Sequence, residues 1–273
     1  MQTLIKFTLA LAVIALASAG VAAQQNSDLI GSYLHRFEWG GSRITLKNNG
    51  TFTSESSGCT HVTTSSGPYS VANNVLRFTM KKLTLRSYSD NKERDLTKRK
   101  ERKKYLDTDE PFKPESWELQ IVRWGERVYF MNSESFVSFV RAINLGFEPR
   151  SVDGYRAHYG VIYLREGDEK TQVTGPPPLP EEFLRELLPA PVIATVLSIK
   201  PEGQFTFATI DRGSADGLKK DMELVTTVSN TLVFQAFRIE SVTENSAEVY
   251  ISGDVKVGDK LTTRVAEVWR FSE

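Results

Sequence analysis

Short runs of alternating apolar and polar residues, broken by turn residues, dominate the chain from Ser32 to Arg165. In Arg43-Ile44-Thr45-Leu46-Lys47 the apolar Ile44 and Leu46 share one face, and Asn48-Asn49-Gly50 follows before Thr51-Phe52-Thr53. A period of two is the strand period, and Asn-Gly supplies the positive φ that a two-residue hairpin turn demands. A second hairpin is predicted from Tyr69-Ser70-Val71 through Ala72-Asn73-Asn74 to Leu76-Arg77-Phe78-Thr79-Met80. Trp117, Leu119 and Ile121 alternate with Glu118 and Gln120, and Trp124-Gly125-Glu126 turns the chain into Arg127-Val128-Tyr129-Phe130-Met131. With an opening strand near residues 30–37 and a closing one at 160–165, about eight strands result, most joined to their sequence neighbours. That connectivity predicts an up-and-down antiparallel, barrel-like meander.

One segment breaks the period. Phe136, Phe139, Val140 and Ile143 are spaced for a helix, with Asn132-Ser133-Glu134 ahead and Gly146 after, which predicts a capped amphipathic helix of about three turns. Its place between the seventh and eighth strands would let it cover an open end of the sheet. Gly175-Pro176-Pro177-Pro178-Leu179-Pro180 cannot sit inside a sheet, because proline lacks the amide donor. Two helical turns at 181–188 end at Pro189-Ala190-Pro191, so residues 175–191 read as a Pro-rich linker. Beyond it, 192–199, 205–210, 223–228, 231–242, 247–251 and 260–265 suit six short strands of a small β-barrel. The expected organisation is therefore mainly β: a signal peptide at 1–23, a β domain at 24–174, the linker, and a small barrel domain at 192–273.

Both halves resemble known families. Gly31-Ser32-Tyr33, the hairpin Ile44-Thr45-Leu46-Lys47-Asn48-Asn49-Gly50-Thr51-Phe52 and the later Gly67-Pro68-Tyr69-Ser70-Val71 are similar to the opening strands of lipocalin-like (calycin-type) domains of exported bacterial proteins. The resemblance covers roughly residues 29–80 and implies a barrel architecture. Gly213-Ser214-Ala215-Asp216-Gly217-Leu218-Lys219-Lys220-Asp221-Met222 and Val257-Gly258-Asp259 resemble the turns of small β-barrel modules of bacterial envelope proteins, with Asp221 where those modules usually carry glycine. That second resemblance implies a structural or assembly module without catalytic residues.

Charge changes the picture locally. The 273 residues carry 34 Lys+Arg and 34 Asp+Glu, so a uniformly basic nucleic-acid or membrane binder is excluded. Lys6, an apolar run from Phe7 to Ala17 and small residues up to Ala23 make a secretory signal peptide with cleavage after Ala23. No second long apolar run follows, so the expected mature chain has no transmembrane segment and is exported, periplasmic or secreted. One cysteine rules out an internal disulfide framework.

Residues 81–104 depart from the balance, with 11 basic residues against four acidic ones. Such a block repels itself and reads as a solvated, mobile loop between strands. The acidic stretch that follows (Asp107, Asp109, Glu110, Glu115, Glu118) can fold back and neutralise it, which is the favoured reading. The rival reading makes Lys98, Arg99, Lys100, Arg102, Lys103 and Lys104 an anion-binding candidate for lipid or lipopolysaccharide phosphates or acidic glycans. Nucleic acid is not an expected partner, since only Tyr88 and Tyr105 flank the run as stacking groups.

Cys59 and His61, two apart, could form a thiolate–imidazole pair for a Cys/His-dependent hydrolase, but they sit in a Ser/Thr/Gly-rich stretch without an orienting carboxylate. His35, His61 and His158 lack ligand spacing, and Asp211-Arg212-Gly213-Ser214 lacks a nucleophile elbow. No catalytic residue, metal or cofactor is therefore expected. The leading expectation is a non-enzymatic envelope binding protein with an unknown envelope protein or anionic surface as partner. Its alternative is a lipocalin-type carrier of a small apolar ligand inside Ile44, Leu46, Phe52, Phe78, Trp117, Leu119 and Phe130.

Overall fold

The computed structural model describes residues 27–37, 40–106, 108, 110–149, 160–226, 237–251 and 254–264. The signal-peptide reading and His158 therefore lie outside the described residues. The chain divides into two compact units, one of Met1–Ser135 with Val152–Pro178, the other of Phe136–Ser151 with Leu179–Glu273.

In the first unit the strands are β1 (Gly31–Phe37), β2 (Gly40–Leu46), β3 (Thr51–Ser57), β4 (His61–Ala72), β5 (Val75–Thr79), β6 (Lys82–Ser87), β7 (Glu93–Asp95), β8 (Ser116–Trp124), β9 (Arg127–Met131) and β10 (Ile162–Arg165). Every pairing is antiparallel, and the order β3-β2-β1-β10-β9-β8-β5-β4 closes on itself through β3–β4, making an eight-strand barrel. β6 and β7 extend the sheet beyond β4. Hairpin chemistry explains the register. Asn73 and Asn74 both have positive φ (52° and 58°), the two-residue turn that matches strand twist, and they set Ala72 opposite Val75. At Asn48-Asn49-Gly50 the turn is longer, with Gly50 alone left-handed and the Lys47 amide bonded to the Thr51 carbonyl.

β4 is the shared wall of this unit. Its residues 62–68 pair with β3, while its other edge pairs with β6 at 61–66 and with β5 at 69–72. Gly67 sits at this hand-over. A Cβ there would fall inside the Thr79 carbonyl oxygen and lie 3.1 Å from the Lys81 amide nitrogen, so only glycine lets β5 end and β6 begin on the same edge.

The barrel interior is apolar over most of its length. Tyr33, Ile44, Leu46, Phe52, Leu76, Phe78, Leu119, Ile121, Val128 and Phe130 form one buried cluster. Its rings are in contact: Tyr33 stacks on Phe130 at 3.8 Å, and Phe52, Phe78 and Trp117 lie 4.8–5.3 Å apart. One end is closed by Leu29, fully buried, whose carbonyl accepts from the Tyr33 hydroxyl. Arg165 fastens this end by donating to the carbonyls of Asp28 and Glu126 and to the Asp168 carboxylate, which also accepts from the Val128 amide.

The second unit holds β11 (Ile193–Glu202), β12 (Phe205–Ile210), β13 (Glu223–Thr226), β14 (Phe237–Val242), β15 (Ala247–Ile251) and β16 (Lys260–Thr262), closed in the order β11-β12-β15-β14-β13-β16. Ala194, Val196, Ala208, Ile210, Leu224, Ile239, Val249 and Leu261 fill it. Asp221, standing where the resembled modules carry glycine, adopts a positive φ of 67°. The amphipathic helix forms at Ser135–Leu145 and ends at left-handed Gly146. From Phe136 on, its residues belong to the second unit. Phe136 packs on Phe183 at 5.1 Å, Asn144 bonds the backbone of Glu186 and Leu188, and Arg141 pairs with Glu223. The architecture is thus mainly β, with two closed barrels.

The hand-over at Gly67 has a direct test. Gly67→Ala is expected to destabilise the protein by at least about 2 kcal/mol, because backbone must move to admit the methyl. Urea unfolding checks it; a wild-type midpoint would show that β4 and β5 have room to spare.

Candidate functional site

The basic segment is folded, which corrects the expectation of a mobile loop. Residues 82–95 form the β6–β7 hairpin and residues 99–106 a helix, here α1 (Arg99–Leu106). Alternation had been masked by polar composition: Leu96 is 1% exposed, and Arg94 occupies a buried position at 9%. Arg94 is satisfied there. It pairs with Asp90, donates to the Lys92 carbonyl at 2.9 Å, and lies 4.3 Å from the centre of the Tyr105 ring on α1. The hydrogen bond from Arg94 holds the Asp90 carboxyl below its usual range. One buried guanidinium thus ties the hairpin loop to the helix.

Arg99, Lys100, Lys103 and Lys104 of α1 are all exposed and spaced i, i+1, i+4, i+5, with the Lys104 Nζ lying 5.1 Å from the centre of the Tyr105 ring. Like charges at i,i+4 destabilise a helix by about 0.2–0.5 kcal/mol per pair, and cations in the first turn oppose the helix dipole. Lys103 and Lys104, in the last turn, favour the dipole, and Glu101 favours it at the first turn. Lys98, just before α1, lies 4.0 Å from Asp95, and Lys100 has no ion pair among the described residues. Arg102, on the opposite side, faces the Phe112 ring at 5.8 Å, and its Nε is buried without a hydrogen-bond partner. Of the acidic stretch expected to neutralise the block, Glu118 pairs instead with Arg77. Asp107 and Asp109 lie outside the described residues.

The end of the barrel away from Leu29 is polar. Pairings carry the inward parity of Ile44 and Phe52 to Ser42, Ser54, Ser56, Thr63 and Ser65, all half-buried. His35 faces Ser42 across β1–β2, its Nδ1 bonded to the Ile162 carbonyl at 3.0 Å, and the Ser42 hydroxyl donates to Tyr163. Burial lowers the His35 pKa below its ordinary 6.5. This hydroxyl rim is a feature that sequence reasoning missed; alternation of small hydroxyl residues against β3 and β4 was its only signal.

Cys59 is exposed in the turn before β4, and His61 Nδ1 is engaged by the Thr60 hydroxyl at 2.9 Å. Among the described residues no group of three or more His, Cys, Asp or Glu is arranged for a metal ion, and no helix is long and apolar enough to cross a membrane. The second unit has a groove of about 300 Å³ whose apolar lining includes Val140, Leu145, Phe183, Leu188 and Met222, edged by the Arg141–Glu223 and Lys219–Glu186 pairs. The fold and site define a two-barrel β protein carrying a basic helical appendage. The chain matches no protein-family model and no curated protein.

Two measurements check the site. Arg94→Ala removes the ion pair of Asp90 and the guanidinium over Tyr105 and is expected to raise amide exchange across 82–106 while the barrel strands keep their protection; unchanged exchange there would contradict the anchoring role. His35, with a folded pKa below its unfolded one, stabilises the fold in its neutral form. That contribution is present above about pH 6.5 and is lost as pH falls below it. His35→Gln is therefore expected to flatten the stability profile between about pH 7 and 5; an unaltered slope would remove His35 as the cause.

Proposed function

We propose that this chain is an exported, non-enzymatic binding protein of the bacterial envelope that contacts anionic surface groups through α1. One observation carries the reading: four cations share one exposed face of a helix that Arg94 and Tyr105 hold in place. A mobile basic loop would lose chain entropy on binding, whereas an anchored face presents its charges already ordered. The closed eight-strand barrel supports the lipocalin-like reading of the first unit, and the positive φ at Asp221 supports the envelope-module reading of the second. The carrier alternative draws less support. The aromatic side chains it would need apart are in contact, and the free rim is lined with hydroxyls.

Binding to vesicles of phosphatidylcholine with phosphatidylglycerol is expected at low salt and should fall steeply as salt rises, because exposed charges are screened within ~10 Å at 0.1 M. Each lysine near such a surface contributes about 1 kcal/mol. Lys100→Gln with Lys104→Gln should therefore weaken binding about 30-fold without loss of β structure. The point changes leave buried Arg94 and Leu96 in place. Binding that the double variant retains, or no binding at low salt, would overturn the proposal.

A further inference from the structure

We infer that the groove of the second unit is a binding site for a small, uncharged aliphatic molecule. It lies in a different unit from α1, and the two readings stand independently. The Ser135–Leu145 helix lines it with Val137, Val140 and Leu145, and Phe183, Leu188 and Met222 supply the rest of its apolar surface. Its volume of about 300 Å³ is at the lower end of the range for small-molecule sites, ~300–1,000 Å³. Val137 is 62% exposed, so the hollow is open to solvent.

Apolar side chains around a hollow ordinarily close it, because interiors pack densely. Here polar ties hold the walls. Asn144 on the helix donates to the Glu186 carbonyl at 2.8 Å and accepts from the Leu188 amide at 2.9 Å. Lys219 donates to the Arg185 carbonyl at 2.9 Å and to the Glu186 carboxylate at 2.8 Å. Arg141 pairs with Glu223, next to Met222, and so returns to the helix. The helix, residues 185–188 and residues 219–223 are thus tied in a ring around the apolar lining. A site held in shape before its ligand arrives loses little ordering entropy on binding.

The same ties specify the occupant. Arg141 offsets Glu223, Lys219 offsets Glu186, and Asp221 lies 3.8 Å from Arg238. The Thr263 hydroxyl accepts from the Val192 amide, and both polar atoms of the Asn144 side chain are engaged. A charged ligand would give up its hydration here without gaining a partner, whereas an aliphatic chain gains from every methylene it buries. Lys220 is the exception: it lines the groove, is exposed and has no ion pair among the described residues. An anion-selective site is therefore the rival reading.

The test titrates the full chain with straight-chain 1-alkanols from 1-butanol to 1-octanol, with octanoate and with octylammonium, following amide chemical shifts. Shifts are expected around Val137, Phe183 and Met222, with affinity tightening about fourfold per added methylene. Octanoate and octylammonium should both bind more weakly than 1-octanol. Val137→Glu puts a charge on the lining at an exposed helical position, and Met222→Gln replaces a thioether by an amide of similar length. Each should weaken 1-octanol binding at least about tenfold while the strands keep their native shifts. No shifts at the groove, an affinity indifferent to chain length, or full affinity in both variants would overturn the inference. Octanoate binding more tightly than 1-octanol, with the advantage lost in Lys220→Gln, would make this an anion site and overturn it too. A dimer that Val137→Glu disperses would give the groove to a second copy, with the same consequence.

Discussion

The edge of β4 decides the shape of the first unit. A strand has two edges, and β4 gives one wholly to β3 and divides the other between β6 and β5. The division needs a residue without a side chain where the two partners meet, and Gly67 is that residue. Because β6 takes the upper part of the edge, the chain must leave the barrel after β5 and return at β8. The Met80 amide bonded to the Glu115 carbonyl marks both ends of the excursion. The proposed anion contact lives on that excursion. The barrel is closed, with its aromatic rings in contact and Arg165 and Leu29 sealing one end.

Two arginines illustrate how surroundings differ within a segment of one composition. Arg94 is buried with a carboxylate, a carbonyl and an aromatic face around it, so its charge is compensated and its role is to hold the helix. Arg102 lies eight residues on, with a buried Nε and no acceptor. The first contributes to the fold, and the second is half-buried against Phe112. Of the outward cations, Lys104 reaches back over the Tyr105 ring at 5.1 Å.

Much of the architecture was legible in the sequence, and the reasons for what was not are physical. Strict alternation in Ile44–Leu46 and Trp117–Ile121, and the Asn-Asn dipeptide at 73–74, fixed strands and register because a period of two and a positive φ have few other uses. The six strands of the second barrel were readable for the same reason. The excursion was hidden because its inward positions are Leu83, Leu85, Arg94 and Leu96; an arginine in the series looks polar until Asp90 and Tyr105 are placed beside it. The helix at 135–145 was found by its spacing, but an apolar stripe does not name what covers it, and Phe183 lies far along the chain. For the candidate site, the six cations were named from charge alone. Their division into an exposed face and a half-buried Arg102 depends on the helix and Phe112.

The face of α1 that Arg94 and Tyr105 anchor is the surface we propose to meet anionic groups. Amide chemical-shift mapping on titration with a short-chain phosphatidylglycerol addresses it most directly. The account predicts shifts concentrated at residues 98–106, with the hydroxyl rim of the first barrel unaffected. Shifts centred on that rim or on the groove around Val140, Phe183 and Met222, with 98–106 silent, would contradict it.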